Sequence, residues 1–119
     1  MLLVEDEEDM RYLVRVILEF AEDPIEVTAE ACDVADGVSV WRALRPHITV
    51  VDYRLPGGSG LDVAEQILRE DPDAPIVLFS AFLDSRTVER ADQLGVRACV
   101  SKDRVQELPA LLRRHIESD

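Results

Sequence analysis

Residues 48–60 read ITVVDYRLPGGSG, and the chain changes character sharply within this stretch, at Asp52. Every residue from 48 to 51 is β-branched, which is typical of a strand that is buried on both faces of a parallel sheet. A proline and two glycines then break regular structure. Ser59 and Asp62 follow with the spacing of a helix N-terminal capping box. The stretch therefore predicts a buried strand that ends at an aspartate, then a turn and a helix.

The same strand-and-helix unit recurs along the whole chain. Apolar residues three and four positions apart predict amphipathic helices, and short apolar or alternating runs predict strands. Residues 25–30 alternate between apolar and polar, which indicates a half-exposed strand at a sheet edge. The five predicted strands cover residues 2–4, 25–30, 48–51, 76–79 and 98–101. The five predicted helices lie near residues 10–18, 38–44, 61–68, 86–94 (ended by Gly95) and 108–116 (with Pro109 in the first turn).

This alternation of strands and helices favours a parallel sheet with helices on both faces. Right-handed connections restrict how such a sheet can be wound. The edge-like second strand favours the strand order 2-1-3-4-5, and five units are too few to close a barrel. We therefore predict an α/β fold, a five-stranded parallel sheet in a flavodoxin-like three-layer (βα)5 sandwich. No internal linker interrupts it, so residues 1–119 are expected to form one domain.

The composition argues against several classes of protein. With 13 Lys+Arg and 25 Asp+Glu, the net charge of −12 repels nucleic-acid phosphates, so direct nucleic-acid binding by this domain is not expected. No apolar run approaches the roughly 18 residues of a membrane span, and the first ten residues lack the features of a secretory signal. Cys32 and Cys99 form no CxxC pattern, so neither a disulfide framework nor a zinc site is expected, and cytoplasmic localisation is the default.

Polar side chains follow the predicted strands at their carboxyl ends. Strand 1 is followed by Glu5 and Asp6, strand 3 by Asp52, strand 4 by Ser80 and strand 5 by Lys102. Ligands of open parallel sheets bind at this edge, where the winding direction reverses and strands 1 and 3 meet. Three carboxylates at one place require a cation, and oxygen ligands suit Mg²⁺. A lysine and a hydroxyl beside them suit a phosphate group.

Four segments of the sequence resemble the motif blocks of bacterial two-component response regulator receiver domains: LLVEDEEDMR, ITVVDYRLPGGSGLDV, IVLFSAF and ACVSKD. The resemblance covers essentially the whole chain, in the family's order and spacing. It implies a signalling switch in which Asp52 accepts a phosphoryl group from a sensor histidine kinase, in a reaction that depends on Mg²⁺. It also implies no enzymatic activity beyond the domain's own phosphorylation and dephosphorylation.

The resemblance assigns the metal ligands residue by residue. Glu5 and Asp6 match the acidic pair that holds Mg²⁺, with Asp6 as the direct ligand and Glu5 acting more often through water. Asp52 itself and the backbone carbonyl of Arg54 match the remaining protein ligands.

The resemblance also assigns the residues that meet the phosphoryl group. Ser80 matches the hydroxyl residue that moves toward it, beside the backbone N–H of Ala81, and Lys102 matches the lysine that pairs with the acceptor and the phosphate. Two positions depart from the family pattern. Cys99 stands where the family has an aromatic switch residue, and Lys102 is followed by Asp103 instead of proline, a variant of the LuxR-type helix-turn-helix subfamily.

Partners and output follow from the same resemblance. It implies control of an output domain or partner, with transcription as the expected output, a DNA-binding effector domain beyond residue 119, and a phosphorylation-dependent homodimer as one form of response. Two alternatives stay open. A pseudo-receiver would use the same fold as a phosphorylation-independent interaction module, and the complete acid–Asp–Ser–Lys set argues against it. A small phosphohydrolase with Asp52 as its nucleophile would need a second acid shortly afterwards, where Tyr53-Arg54-Leu55 stand.

Overall fold

A five-stranded parallel sheet forms the centre of residues 1–117, the part of the chain that the computed structural model describes. The strands are β1 (Leu2–Val4), β2 (Ala29–Ala31), β3 (Thr49–Asp52), β4 (Ile76–Ser80) and β5 (Ala98–Ser101). They lie in the order β2-β1-β3-β4-β5, and each neighbouring pair is parallel. The predicted fold class and strand order are confirmed. Because the order reverses between β1 and β3, the carboxyl ends of these strands border the crevice of the sheet.

Helices cover both faces of this sheet. They are α1 (Glu8–Glu19), α2 (Val34–Leu44), α3 (Gly60–Glu70), α4 (Ser85–Leu94) and α5 (Leu108–Glu117), with a 3-10 segment, Lys102–Glu107, leading into α5. On one face α1 contacts α5, and on the other α3 contacts both α2 and α4. Among the described residues, none of these helices has the length and apolar character needed to cross a bilayer.

The sheet separates two apolar cores, because successive side chains of a strand point to opposite faces. Leu3, Val50 and Phe79 pack in the core beneath α1 and α5. Leu2 and Leu78 pack in the core beneath α2, α3 and α4. All five side chains are fully buried. The central strands are therefore covered on both faces, as their β-branched and apolar runs predict.

The second strand is shorter than predicted. The alternating pattern extends over residues 25–30, yet only Ala29–Ala31 pairs in the sheet. The three residues of β1 provide three pairing positions, from Leu2 opposite Ala29 to Val4 opposite Ala31. Ile25 is buried in the core beneath α1 and α5 without belonging to a strand. The alternation thus reports which side chains are buried, whereas strand length depends on the neighbouring strand.

The turn after β3 contains a short hairpin that the sequence did not predict. Residues Arg54–Leu55 pair antiparallel with Gly58–Ser59. Gly57 has a φ of +87°, a conformation that glycine adopts without steric cost. The N–H of Gly60 then donates to the Tyr53 carbonyl at 2.8 Å, which brings the start of α3 back beneath the end of β3.

Other helix boundaries follow local capping. The side chain of Asp33 accepts a hydrogen bond from the Asp36 N–H at 2.7 Å, so α2 begins at Val34, before the first residue predicted for it. The predicted end of α4 at Gly95, which has a φ of +100°, is confirmed. The predicted place of Pro109 in the first turn of α5 is also confirmed.

Candidate functional site

Three acidic side chains converge at the carboxyl edge of the sheet. Glu5 and Asp6 follow β1, and Asp52 ends the adjacent strand β3. Glu5 and Asp52 are buried, whereas Asp6 is exposed. One carboxylate oxygen from each residue lies within 4.8 Å of the other two. The structure therefore brings together the acids that the strand-end argument singled out, and their mutual repulsion favours a bound cation.

Lys102, the first residue after β5, brings a positive charge into this cluster. Its Nζ lies 2.7 Å from Glu5 Oε1 and 3.1 Å from Asp52 Oδ2. The lysine side chain is only 11% exposed, and Nζ lies 5.8 Å from the centre of the Phe79 ring. One ammonium group beside three carboxylates leaves the cluster with an excess of negative charge.

Burial and pairing shift the ionisation of the two most enclosed groups. Burial, together with the nearby charge of Asp52, raises the pKa of Glu5 to about 7, even though Lys102 and the Glu7 N–H act to lower it. For Lys102, burial alone would lower the pKa, but its contacts with Glu5 and Asp52 outweigh burial and raise it. Lys102 therefore stays charged at neutral pH, whereas Glu5 titrates close to it.

The raised pKa of Glu5 predicts a pH-dependent stability in the absence of divalent ions. In the folded protein Glu5 keeps its proton up to about pH 7, whereas an ordinary glutamate, with a pKa of 4.5, loses its proton at a lower pH. The stabilising contribution of Glu5 to the free energy of unfolding is therefore fully present below pH 4.5. It decreases as the pH rises to about 7, by at most about 3 kcal/mol. Urea unfolding of Glu5→Gln is expected to lack this decrease. Glu8→Gln, at an exposed position on α1, should retain it, and a decrease of equal size in both variants would contradict the assignment.

The donor atoms of the cluster fit a hard divalent cation. Glu5 Oε1 is buried and, apart from its ion pair with Lys102, has no hydrogen-bond partner among residues 1–117. Carboxylate oxygens are the ligands that Mg²⁺ and similar ions prefer. Glu5, Asp6 and Asp52 could therefore hold a metal ion.

Ser80 ends β4 at the same edge of the sheet, and its hydroxyl is engaged by the following loop. Its Oγ–H donates to the Phe82 carbonyl at 2.8 Å, and its Oγ accepts from the Phe82 N–H at 3.3 Å. A cleft of about 720 Å³ opens beside Ser80 and joins the strand ends. Its walls include all but one of the residues predicted for the site, namely Asp6, Asp52, Arg54, Ser80, Ala81 and Lys102. Glu5, the remaining one, is buried behind Lys102.

Gly60, which was not predicted from the sequence as a site residue, packs directly against the main chain of Asp52. A Cβ atom at this position would lie 2.2 Å from the Asp52 carbonyl oxygen. Only a residue without a side chain allows α3 to begin this close to the end of β3. The sequence shows a glycine after a helix cap, but it does not show which backbone lies against it.

Gly60→Ala is expected to displace Asp52 and to lower the free energy of unfolding by about 1–3 kcal/mol, because the contact is with backbone and cannot relax through a side chain. Gly37→Ala is the matched control. Its Cβ would lie 3.0 Å from a Val4 methyl group, and Ala gains roughly 1 kcal/mol of helix propensity inside α2. Urea unfolding and the Asp52 amide shift measure both variants. A larger loss in Gly37→Ala would contradict this interpretation of Gly60.

Known proteins are similar to this chain in sequence and in fold. The family model described as response regulator receiver domain matches residues 1–113. The chain is 30% identical over 101 residues to the chemotaxis protein CheY of Thermotoga maritima, across 85% of this chain and 82% of that protein. It is 32% identical over 101 residues to the transcriptional regulatory protein LiaR of Bacillus subtilis, of which the match covers 47%. This chain thus spans about half the length of that regulator.

A solved structure agrees with the sequence relatives. The two-component response regulator of the LuxR family from Aurantimonas sp. superposes with a TM-score of 0.83 at 29% identity, over 95% of this chain and 84% of that chain. With the family match over residues 1–113, these similarities show that the chain belongs to the response regulator receiver domains.

Proposed function

We propose that this receiver domain is a phosphoacceptor switch in which Asp52 receives a phosphoryl group from a sensor histidine kinase, in a reaction that requires Mg²⁺. One observation carries the proposal: the buried Asp52 carboxylate shares the strand-end cluster with Glu5 and Asp6 while Lys102 Nζ lies 3.1 Å from it. The carboxylate also opens onto a cleft large enough for a phosphodonor.

The metal site of the proposal uses this chain's oxygen atoms. Asp6 and Asp52 would be the direct carboxylate ligands, the Arg54 carbonyl would be a backbone ligand, and Glu5 would act through water. When bound, Mg²⁺ supplies positive charge that offsets the repulsion between the acidic cluster and an incoming phosphoryl group. Glu5 also holds Lys102 in place through the 2.7 Å ion pair.

The transfer step follows from the charges around Asp52. A carboxylate oxygen of Asp52 forms a bond to phosphorus while the bond from phosphorus to the donor's leaving group breaks, and the electron pair departs with that group. Lys102 then pairs with the phosphoryl oxygens, and the Ser80 hydroxyl and Ala81 N–H donate to them. The product is an acyl phosphate on Asp52, and no metabolite is turned over.

Phosphorylation of the purified protein by a small phosphodonor tests this function. Incubation with acetyl phosphate and Mg²⁺ should add one phosphoryl group, seen as an increase in intact mass, and chelation of the metal with EDTA should prevent it. Hydroxylamine should remove the group, because it cleaves acyl phosphates. No uptake would favour the interaction module instead, and repeated turnover of a generic phosphate ester would favour a phosphohydrolase.

The switch that we propose runs through the loop after β4. Ser80 can donate to a phosphoryl oxygen only by giving up its bond to the Phe82 carbonyl. Phe82 is 73% exposed, and α4 has Ala91 as its buried residue, so little packing opposes movement of this segment. Cys99 is smaller than the aromatic residue of the family pattern and displaces little surface.

Hydrogen exchange measured with and without a beryllofluoride mimic is expected to change mainly in residues 82–94, with Cys99 nearly unaffected. The reason is that the Ser80–Phe82 contact joins the proposed phosphorylation site to this weakly packed segment. Cys99→Ala is the control and should leave the loop response intact. A response confined to the surroundings of Cys99, or lost in Cys99→Ala, would contradict this route.

The wider role of the protein is part of the proposal. We place residues 1–119 as one receiver domain that acts in the cytoplasm and controls transcription through an effector domain or a partner. LiaR is a transcriptional regulatory protein and the Aurantimonas protein belongs to the LuxR family, which supports transcription as the output. A DNA-binding effector domain outside this chain is part of the same proposal. A homodimer that forms on phosphorylation is one form that this output would take.

A further inference from the structure

Asp6 is the member of the acidic cluster whose position is least supported by its own side chain. It is exposed, and its carboxylate makes no hydrogen bond or ion pair with any residue in 1–117. Glu5, by contrast, is buried and paired with Lys102, and its Oε2 accepts from the Glu7 N–H at 3.1 Å. The placement of the Asp6 carboxylate therefore depends on the main chain that carries it.

A side chain from α1 holds this main chain. Arg11 Nη1 donates at 2.8 Å to the Glu5 carbonyl, which belongs to the peptide group that joins Glu5 to Asp6. The Nε edge of the same guanidinium lies 3.3 Å from Glu30 Oε1, on the edge strand β2. The arginine side chain is only 17% exposed. Because the guanidinium is planar, its two contacts together fix the position of the Glu5 carbonyl relative to β2.

Glu30 is itself held from a second side. Arg15, one helical turn after Arg11, places Nη1 2.5 Å from the same Glu30 oxygen. Arg15 does not contact the acidic cluster. The two arginines thus share a helix, a charge and a partner, and only Arg11 reaches the loop that carries the acids.

We propose that Arg11 is a positioning residue for the metal site: by holding the Glu5 carbonyl, it keeps the Asp6 carboxylate where it can ligate a divalent cation together with Asp52. This rests on the metal site of the proposed function and adds a residue that acts through the main chain without touching metal or phosphate. Residues that orient metal ligands in this indirect way typically change metal affinity by 10–100-fold when they are removed.

The positioning role and the positive charge of Arg11 predict opposite effects of its removal on Mg²⁺ affinity, so the two can be distinguished by experiment. Removing a positive charge near a cation site strengthens cation binding by Coulomb's law. Losing the support of the Asp6 main chain weakens it. A rise in the Mg²⁺ dissociation constant on removal of Arg11 therefore has no explanation in charge alone.

The experiment is a Mg²⁺ titration of the chain without phosphodonor, followed by the amide signals of Asp6 and Asp52. Arg11→Ala is expected to raise the Mg²⁺ dissociation constant about tenfold. Arg15→Ala, the matched control, should change it by less than about twofold. Arg11→Lys keeps the charge but loses the planar fork, so it should raise the constant by an intermediate factor, and it decides the question if the alanine variant does not fold.

An unchanged or lowered dissociation constant in the Arg11 variants would overturn the proposal, and so would an equal rise in Arg15→Ala. The amide signals of Asp6 and Glu7 in metal-free protein add a second readout, since Arg11→Ala should shift them and Arg15→Ala should not. If the wild-type chain binds Mg²⁺ but takes up no phosphoryl group, the proposed function fails while the three arginine variants still decide this proposal.

Discussion

Asp52→Asn is expected to abolish phosphoryl uptake from acetyl phosphate altogether, because an amide lacks the anionic oxygen that attacks phosphorus. The substitution keeps nearly the same shape, and the residue is buried at the end of β3, so the fold should persist. Intact mass after incubation with Mg²⁺ and acetyl phosphate measures the loss against the wild type.

Asp84→Asn provides the control for this result. Asp84 lines the same cleft but caps α4 through the Thr87 N–H, and asparagine caps helices equally well. This variant should take up phosphate like the wild type. If Asp52→Asn were labelled to the wild-type extent, the acceptor would be another residue, with Ser80 first to be examined by peptide mapping.

Asp6→Ala is expected to lower the affinity for Mg²⁺ by more than about tenfold, since it deletes a proposed direct ligand from a cluster that offers three carboxylates. Phosphoryl uptake at low Mg²⁺ should fall in parallel. A titration followed by amide signals of β1 and β3 measures the dissociation constant.

The matched control is Glu8→Ala. Glu8 is an exposed acid two residues further along, in the first turn of α1, and lies outside the metal cluster. Its removal takes away the same charge, so it reports the general electrostatic effect. Equal losses of affinity in Asp6→Ala and Glu8→Ala would mean that net acidity, not ligation, attracts the metal.

The architecture could be predicted from the sequence because the burial of strands and helices gives the apolar residues a regular spacing along the chain. The run Thr49–Asp52 is β-branched up to a charged residue since both faces of β3 are covered, and a helix cap follows after one turn. The second strand could not be delimited in this way. Residues 25–30 alternate because Ile25 is buried and Val27 and Ala29 are half-buried while the residues between them are exposed, but pairing covers only the three residues that lie opposite β1.

The grouping of the candidate site residues could also be predicted, because each of them follows or ends a strand. Asp52 and Lys102 are distant in sequence from the adjacent pair Glu5 and Asp6, yet a parallel sheet of known order places the ends of its strands at one edge. The structure does bring the three carboxylates within 4.8 Å of one another, with the lysine paired to two of them. Their chemical roles are the part that the experiments above test.

The tertiary structure alone shows how these groups are held. Whether the Ser80 hydroxyl faces Asp52 or the Phe82 carbonyl is a choice between hydrogen-bond partners that residue type does not specify. The contact of Gly60 with the Asp52 carbonyl, and the reach of Arg11 to the Glu5 carbonyl, join the acids to backbone atoms. Hydrophobic periodicity records which side chains are buried, and it carries no information about contacts with the main chain, because every residue has the same carbonyl and every residue except proline has the same N–H.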